Sequence, residues 1–239
     1  MSEREESKPT VHELMERHVE AMFTHDLNRR IRTINEPWPG EALAPRFFLG
    51  RTIEGTAICR FRYDIPERLI EPLEELCADE PAVSDFQSKP KHFDAYLNYL
   101  QADKFTMGPC FLVPREAAST RQVVRLTRDN ISEVGLDGFE WLAEEIDYVQ
   151  PCIAFLHANR AVSICRSVRV TSQAHEAGLE TLVEYRGKGY AAAVVADWAM
   201  EVRKGGGLPL YSTSWENLAS QRVASKLGLS FYGVNFTVV

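Results

Sequence analysis

The sequence predicts a mixed α/β protein of the α+β type, with a mostly antiparallel central sheet flanked by helices. Three observations carry that expectation. Residues 152–157, 161–170 and 174–182 are strand-length apolar runs joined only by Ala-Asn-Arg and Thr-Ser-Gln. Connections that short permit antiparallel pairing, since a parallel pair needs a crossover of about a dozen residues. From Tyr190 onward, Ala191, Val194, Val195, Trp198, Ala199 and Val202 fall on one stripe at helical spacing. The remaining chain alternates helix-like and strand-like segments, with no solenoid repeat and no low-complexity tract.

In chain order, a polar stretch of about ten residues is expected to fray. Thr10-Val-His-Glu13 is a capping box, in which hydroxyl and carboxylate satisfy open amides at a helix start. The helix is expected to run to about Arg32, with Val11, Leu14, His18 and Met22 on one stripe and His25 near it, until Pro37-Trp-Pro-Gly40 stops it. Strands are expected over 46–49 and 56–62, a helix over 66–78 with Pro66 at its first turn, and a helix over 91–101. A strand over 110–113 then ends at Pro114. Beyond it come a strand over 122–126, a helix over 137–146 and the three-strand meander. After the helix from Tyr190, Gly205-Gly-Gly207 breaks the chain before a strand over 208–213. Asn217 caps a last helix that ends at Gly228, and a strand over 231–238 closes the fold.

Composition narrows the class. The 239 residues carry a net charge of −7 and 45% hydrophobic residues, an ordinary globular balance. No apolar run is long enough to span a membrane. The first eight residues are acidic and polar, unlike a targeting leader, and the five Cys are an odd set with no C-x-x-C. These features suggest a cytoplasmic chain with no disulfide frame and no zinc site. The acidity is uneven: residues 1–150 hold 28 Asp+Glu against 18 Lys+Arg, and the last 89 hold 6 against 9. A mildly basic segment in an acidic chain suits an anionic ligand and gives no reason to expect a nucleic-acid partner.

The chemistry sits where the meander meets the helix. Arg186-Gly-Lys-Gly-Tyr-Ala191 places glycines and two cations where helix-start amides lack partners, which favours a phosphate. The segment matches R-x-x-G-x-[GA], and Asn217-Leu-Ala-Ser-Gln-Arg-Val-Ala-Ser-Lys-Leu-Gly-Leu229 matches N-x-x-[AS]-x-x-x-x-x-K-x-G-[FL]. In that order, with antiparallel strands before and a strand between, the two resemble the GNAT superfamily of acyltransferases. The resemblance covers about 122–239. It implies a GNAT-like fold for a domain over 116–239, joined to a mixed α/β unit over 1–115 that is either a degenerate half-copy or a lid.

The resemblance also implies roles. Acetyl-CoA would be the co-substrate, with no metal. Arg186, Gly187, Lys188, Gly189, Tyr190 and Ala191 would hold its pyrophosphate. The end of the preceding strand, Leu179, Thr181 and Leu182, would pair with the pantetheine arm. Asn217 and Ser220 would line the other side. Glu176 is the first candidate base for the attacking amine and Glu180 the second, since alternate residues of a strand share a face. Members of the family often carry a Tyr two residues before the motif Lys as general acid. Here that position is Ala224, so Ser220 is the substitute, ahead of Tyr232 and Tyr211. The expected acceptor is a primary amine on a small molecule or peptide, and a homodimer is left open.

Plainer readings stand beside these. Gly187-Lys-Gly-Tyr-Ala-Ala192 also fits the dinucleotide fingerprint G-x-G-x-x-A, but NAD(P) binding needs a parallel βαβ unit and an acidic residue about 20 positions on. Glu176 and Glu180 suit a solvated strand face equally well. His12-Glu-Leu-Met-Glu16 lacks the second His of a zinc helix, and His18 reads as part of an amphipathic face. From another class, a non-catalytic acyl-CoA-binding regulatory module is the alternative, favoured by Ala224.

Overall fold

The computed structural model describes residues 8–117 and 121–239, so most of the frayed start and the beginning of the 116–239 domain lie outside the described residues. Helix α1 spans Val11–Met22 and opens on the expected capping box: the Glu13 amide donates to Thr10 Oγ1, and the Thr10 amide donates to Glu13 Oε2. The helix does not reach Arg32. Phe23–His25 and Ile31–Ile34 form a two-stranded ribbon, β1 and β2, because Phe23, Ile31 and Ile34 suit a half-buried strand. Asp26 accepts the amides of Asn28 and Arg30 and closes the turn. His25, expected near the helical stripe, is therefore a strand residue.

Strands β3 (Phe47–Thr52) and β4 (Ala57–Phe61), helices α2 (Glu67–Ala78) and α3 (Phe93–Leu100), and strand β5 (Phe105–Leu112) follow. Strand β5 starts five residues ahead of the expected strand. In the C-terminal part come β6 (Val124–Leu126), a single-turn α4 (Leu142–Glu145), β7 (Cys152–His157), β8 (Arg160–Val170) and β9 (Ala174–Thr181). The helix expected over 137–146 contracts to that one turn. Helix α5 (Tyr190–Lys204), β10 (Leu208–Ser212), α6 (Leu218–Lys226) and β11 (Ser230–Val238) complete the chain.

Nine strands form one sheet in the order β4-β3-β11-β5-β10-β9-β8-β7-β6 among the described residues. Every pairing is antiparallel except β9 with β10. The expected mostly antiparallel sheet between helices is what forms. Strand β5 lies between β10 and β11, so the sheet runs without a break from the first half of the chain into the second. The expected division at 115/116 falls just after this strand.

The two sheet faces are covered by different helices. Val194, Val195, Trp198, Ala199 and Val202 of α5 pack with Tyr211 and Ala224 on one face. Leu14, Met15 and Val19 of α1 pack with Phe48, Cys110, Leu210 and Tyr232 on the other. Alternation along β10 fixes the faces: Leu210 belongs to the α1 side and Tyr211 to the α5 side. The described residues contain no helix long and apolar enough to cross a membrane.

Candidate active site

Strands β9 and β10 are in register only from Leu208↔Ala174 to Leu210↔Glu176. Beyond that pair they part, and the gap becomes a cleft of about 750 Å³, within the usual size of small-molecule sites. Its β9 wall carries Ala177, Leu179, Glu180, Thr181 and Leu182, whose edge toward β10 is unpaired there. The opposite wall is Tyr211, Ser212 and the connection leading to α6, with Asn217 and Ser220 at its end.

The cleft opens onto the glycine loop. Gly187 and Gly189 have φ of +75° and +83°, which favour glycine, and Gly189 is the N-cap of α5. A Cβ at Gly187 would meet nothing within 4 Å, so the loop is an open concave strip of backbone at a helix start. The first-turn amides of a helix have no acceptor within it, and its dipole favours an anion. Arg186, Gly187, Gly189, Tyr190 and Ala191 border the cleft. Lys188 does not. Its ammonium sits 4.7 Å from the centre of the Tyr185 ring.

Two further cations reach the same place. A Cβ on Gly189 would lie 3.2 Å from Lys226 Nζ and 3.9 Å from Arg121 Nε. Arg121 also lies over Tyr190, which stacks on Phe155 at 3.9 Å between centroids. Sequence reasoning quoted Lys226 only as part of a motif and did not single out Arg121. Nothing local in the sequence brings Arg121 to a loop 68 positions away.

The two candidate carboxylates differ sharply. Glu180 borders the cleft and is paired with Arg166 at 2.6 Å, and Arg166 in turn lies over Trp141. Glu176 is 2% exposed, points toward α1, and does not itself border the cleft. Its Oε1 is 2.5 Å from His18 Nδ1, and its Oε2 accepts a hydrogen bond from Ser212 Oγ at 3.1 Å. His18 Nε2 faces the Asn235 amide group at 3.0 Å and Cys110 Sγ at 3.7 Å. Burial works against charge on His18, but Cys110 and the Glu176 carboxylate more than offset it and raise its pKa to about 10. His18 is thus held as the imidazolium at neutral pH. The sequence reads His18 as part of an amphipathic face; the structure buries it completely, against a partner 158 positions away.

On the far wall, Ser220 Oγ lies 2.5 Å from the Tyr211 phenol oxygen. Burial pushes the Tyr211 phenol up, with the Ser220 hydrogen bond acting the other way. Ala224, at the position where relatives often hold a Tyr, is buried against the same cluster. Tyr232 is buried beside Cys110 and lies off the cleft wall. No group of three or more His, Cys, Asp or Glu suited to a metal occurs among the described residues.

The fold leaves a concave cleft between two diverging strands, with a glycine loop and two cations at its mouth. Residues 152–234 match the GNAT acetyltransferase family. No curated protein matches the chain significantly in sequence. Three solved structures are similar. A candidate GNAT-family acetyltransferase from Novosphingobium aromaticivorans is 16% identical with a TM-score of 0.46, over 57% of this chain and 65% of its own. This chain therefore spans just under two thirds of that protein. A GNAT-family acetyltransferase from Colwellia psychrerythraea is 11% identical with a TM-score of 0.46, over 76% of each chain. A GCN5-related N-acetyltransferase-like protein from Streptococcus suis is 15% identical with a TM-score of 0.45, over 82% of this chain and 85% of its own.

Proposed function

We propose that this protein is an acetyl-CoA-dependent N-acetyltransferase acting on a primary amine of a small molecule or peptide by direct attack. The observation that carries the reading is the parting of β9 and β10 directly onto an open glycine strip at the start of α5. The residues fit acetyl-CoA. The amides of 186–191, with Lys226 and Arg121 beside them, suit a pyrophosphate. The edge of Leu179 and Thr181 that β10 does not pair with, and Leu182 just beyond it, suit an amide-bearing arm that adds to the sheet as a strand would. Asn217 and Ser220 close the other side.

Each chemical step has a residue to serve it. Backbone N–H groups on the open edge of β9 would polarise the thioester carbonyl, the role of oxyanion donors generally. Glu176 would take the proton of the attacking amine. The Tyr211–Ser220 pair would return a proton to the leaving thiolate, so Ser220 acts with Tyr211 and not alone. Glu180, held by Arg166, is on this reading a wall of the acceptor side.

The alternative, a regulatory module that binds acyl-CoA without catalysis, is favoured by the burial of Glu176 and by Ala224. One assay separates the two. Thiol release from acetyl-CoA is measured across a panel of primary amines spanning aryl-alkyl amines, polyamines, amino acids and short peptides. The expected result is amine-dependent release that Glu176→Gln lowers about 100-fold, with CoA affinity kept. Glutamine is used because it keeps the side-chain volume and a carbonyl oxygen within reach of His18 and Ser212, both of which Ala would remove. CoA binding with no release for any amine would establish the regulatory module instead.

A further inference from the structure

Glu176 cannot meet an acceptor amine directly, because its carboxylate lies beneath the cleft wall and under α1. Among the described residues hydrogen-bonded to it, His18 and Ser212, only Ser212 borders the cleft. The register explains why. Glu176 sits opposite Leu210 in the last paired position of β9 and β10. Ser212 lies two residues further on, on the same sheet face, where the strands have already parted. Its hydroxyl therefore spans the distance between the open gap and the buried carboxylate.

On the acetyltransferase reading above, we propose that Ser212, Glu176 and His18 form a proton relay in which Ser212 is the group that touches the acceptor amine. As the amine nitrogen bonds to the acetyl carbon, its proton passes to Ser212 Oγ while the Ser212 proton passes to Glu176 Oε2. The carbon–sulfur bond breaks, and the thiolate takes a proton from the Tyr211–Ser220 pair. Charge balances: the carboxylate gains one proton, the acid pair loses one, and both are restored through solvent. His18 is a positioning residue. With both ring nitrogens protonated, Nδ1–H donates to Glu176 Oε1 and leaves Oε2 aimed at Ser212. Helix α1, outside the segment that matches the family, thereby completes the base.

The charged and titratable groups facing the His18–Glu176 pair come from three strands: Cys110 on β5, Tyr232 on β11 and Arg169 on β8. Cys110 Sγ is close enough to His18 to raise a different chemistry, an acetyl group carried on sulfur. The test includes it.

Ser212→Ala and Ser212→Thr are compared with the parent chain for CoA affinity by calorimetry and for thiol release with the best amine of the panel, across pH. Ser212→Ala is expected to lower kcat about 100-fold, with CoA affinity within about twofold. Its rate should rise with pH as the amine loses its proton to solvent instead. Ser212→Thr, which keeps the hydroxyl, should recover most of the rate and the parent's pH profile, a rescue that lost packing would not produce. Parent-like turnover in Ser212→Ala, or an acetyl group found on Cys110 after rapid quenching, would overturn the relay and leave the acetyltransferase reading standing. A parent chain that releases no thiol with any amine would overturn both.

Discussion

His18 and Glu176 meet 2.5 Å apart in the core, and the folded protein holds His18 protonated well above its ordinary value of 6.5. A group whose pKa is raised by folding contributes stability in full below its unfolded value and loses it as pH climbs through the folded one. The window therefore runs from about 6.5 up to about 10. Thermal unfolding followed from pH 7 to pH 10 should show the parent's Tm falling steadily, with Cys110, Tyr232 and Arg169 the other groups facing the pair. His18→Gln should start lower and change less over the same range. Equal slopes would show that His18 is neutral in the folded protein. His18 was legible as part of the amphipathic stripe of α1, but its full burial, its charge and its partner are tertiary facts that no local pattern carries.

At the scale of elements, β5 and the β10–α6 connection set the shape of the cleft. Gly108 lies directly beneath that connection, and a Cβ there would fall 1.6 Å from the Thr213 carbonyl oxygen and 3.0 Å from Ser214 Cα. Both contacts are backbone, so relief requires the connection to lift, and Thr213 and Ser214 border the cleft. Gly108→Ala should cost about 1–3 kcal/mol of stability, as overpacking does, and weaken CoA binding at least tenfold. Chemical denaturation and calorimetry read the two effects, and parent values in both would show that the connection does not shape the site. This close approach was invisible in sequence, where the expected strand begins only at residue 110 and Gly108 lies outside it. Helix α5, by contrast, was fully legible: its stripe, its glycine N-cap and its basic last turn are all local signals. The β1–β2 ribbon was missed because the apolar spacing of α1 continues past Met22, and only pairing with Ile31–Ile34 reveals that Phe23 starts a strand.

Across the whole molecule, the mildly basic C-terminal part carries the glycine strip, and the acidic first part contributes more than bulk. Strand β5 enters the sheet between β10 and β11, and α1 covers the face that holds Glu176. The sequence motifs located the wall proposed to face CoA because loop, strand and helix follow one another within about forty residues. The side proposed to face the amine was not legible, because it is assembled from α1, β5, β9, β10 and β11, which only the complete sheet brings together. The central claim is that the strip from Arg186 to Ala191 holds the CoA pyrophosphate. Its most direct test is a calorimetric titration of CoA into the parent chain and into Gly189→Glu. A carboxylate there would face the phosphates from a backbone of φ +83° that favours glycine. The account predicts saturable one-to-one binding by the parent and none by the variant, whose unfolding midpoint by circular dichroism confirms that it is folded. Equal CoA affinity in the two chains would contradict it.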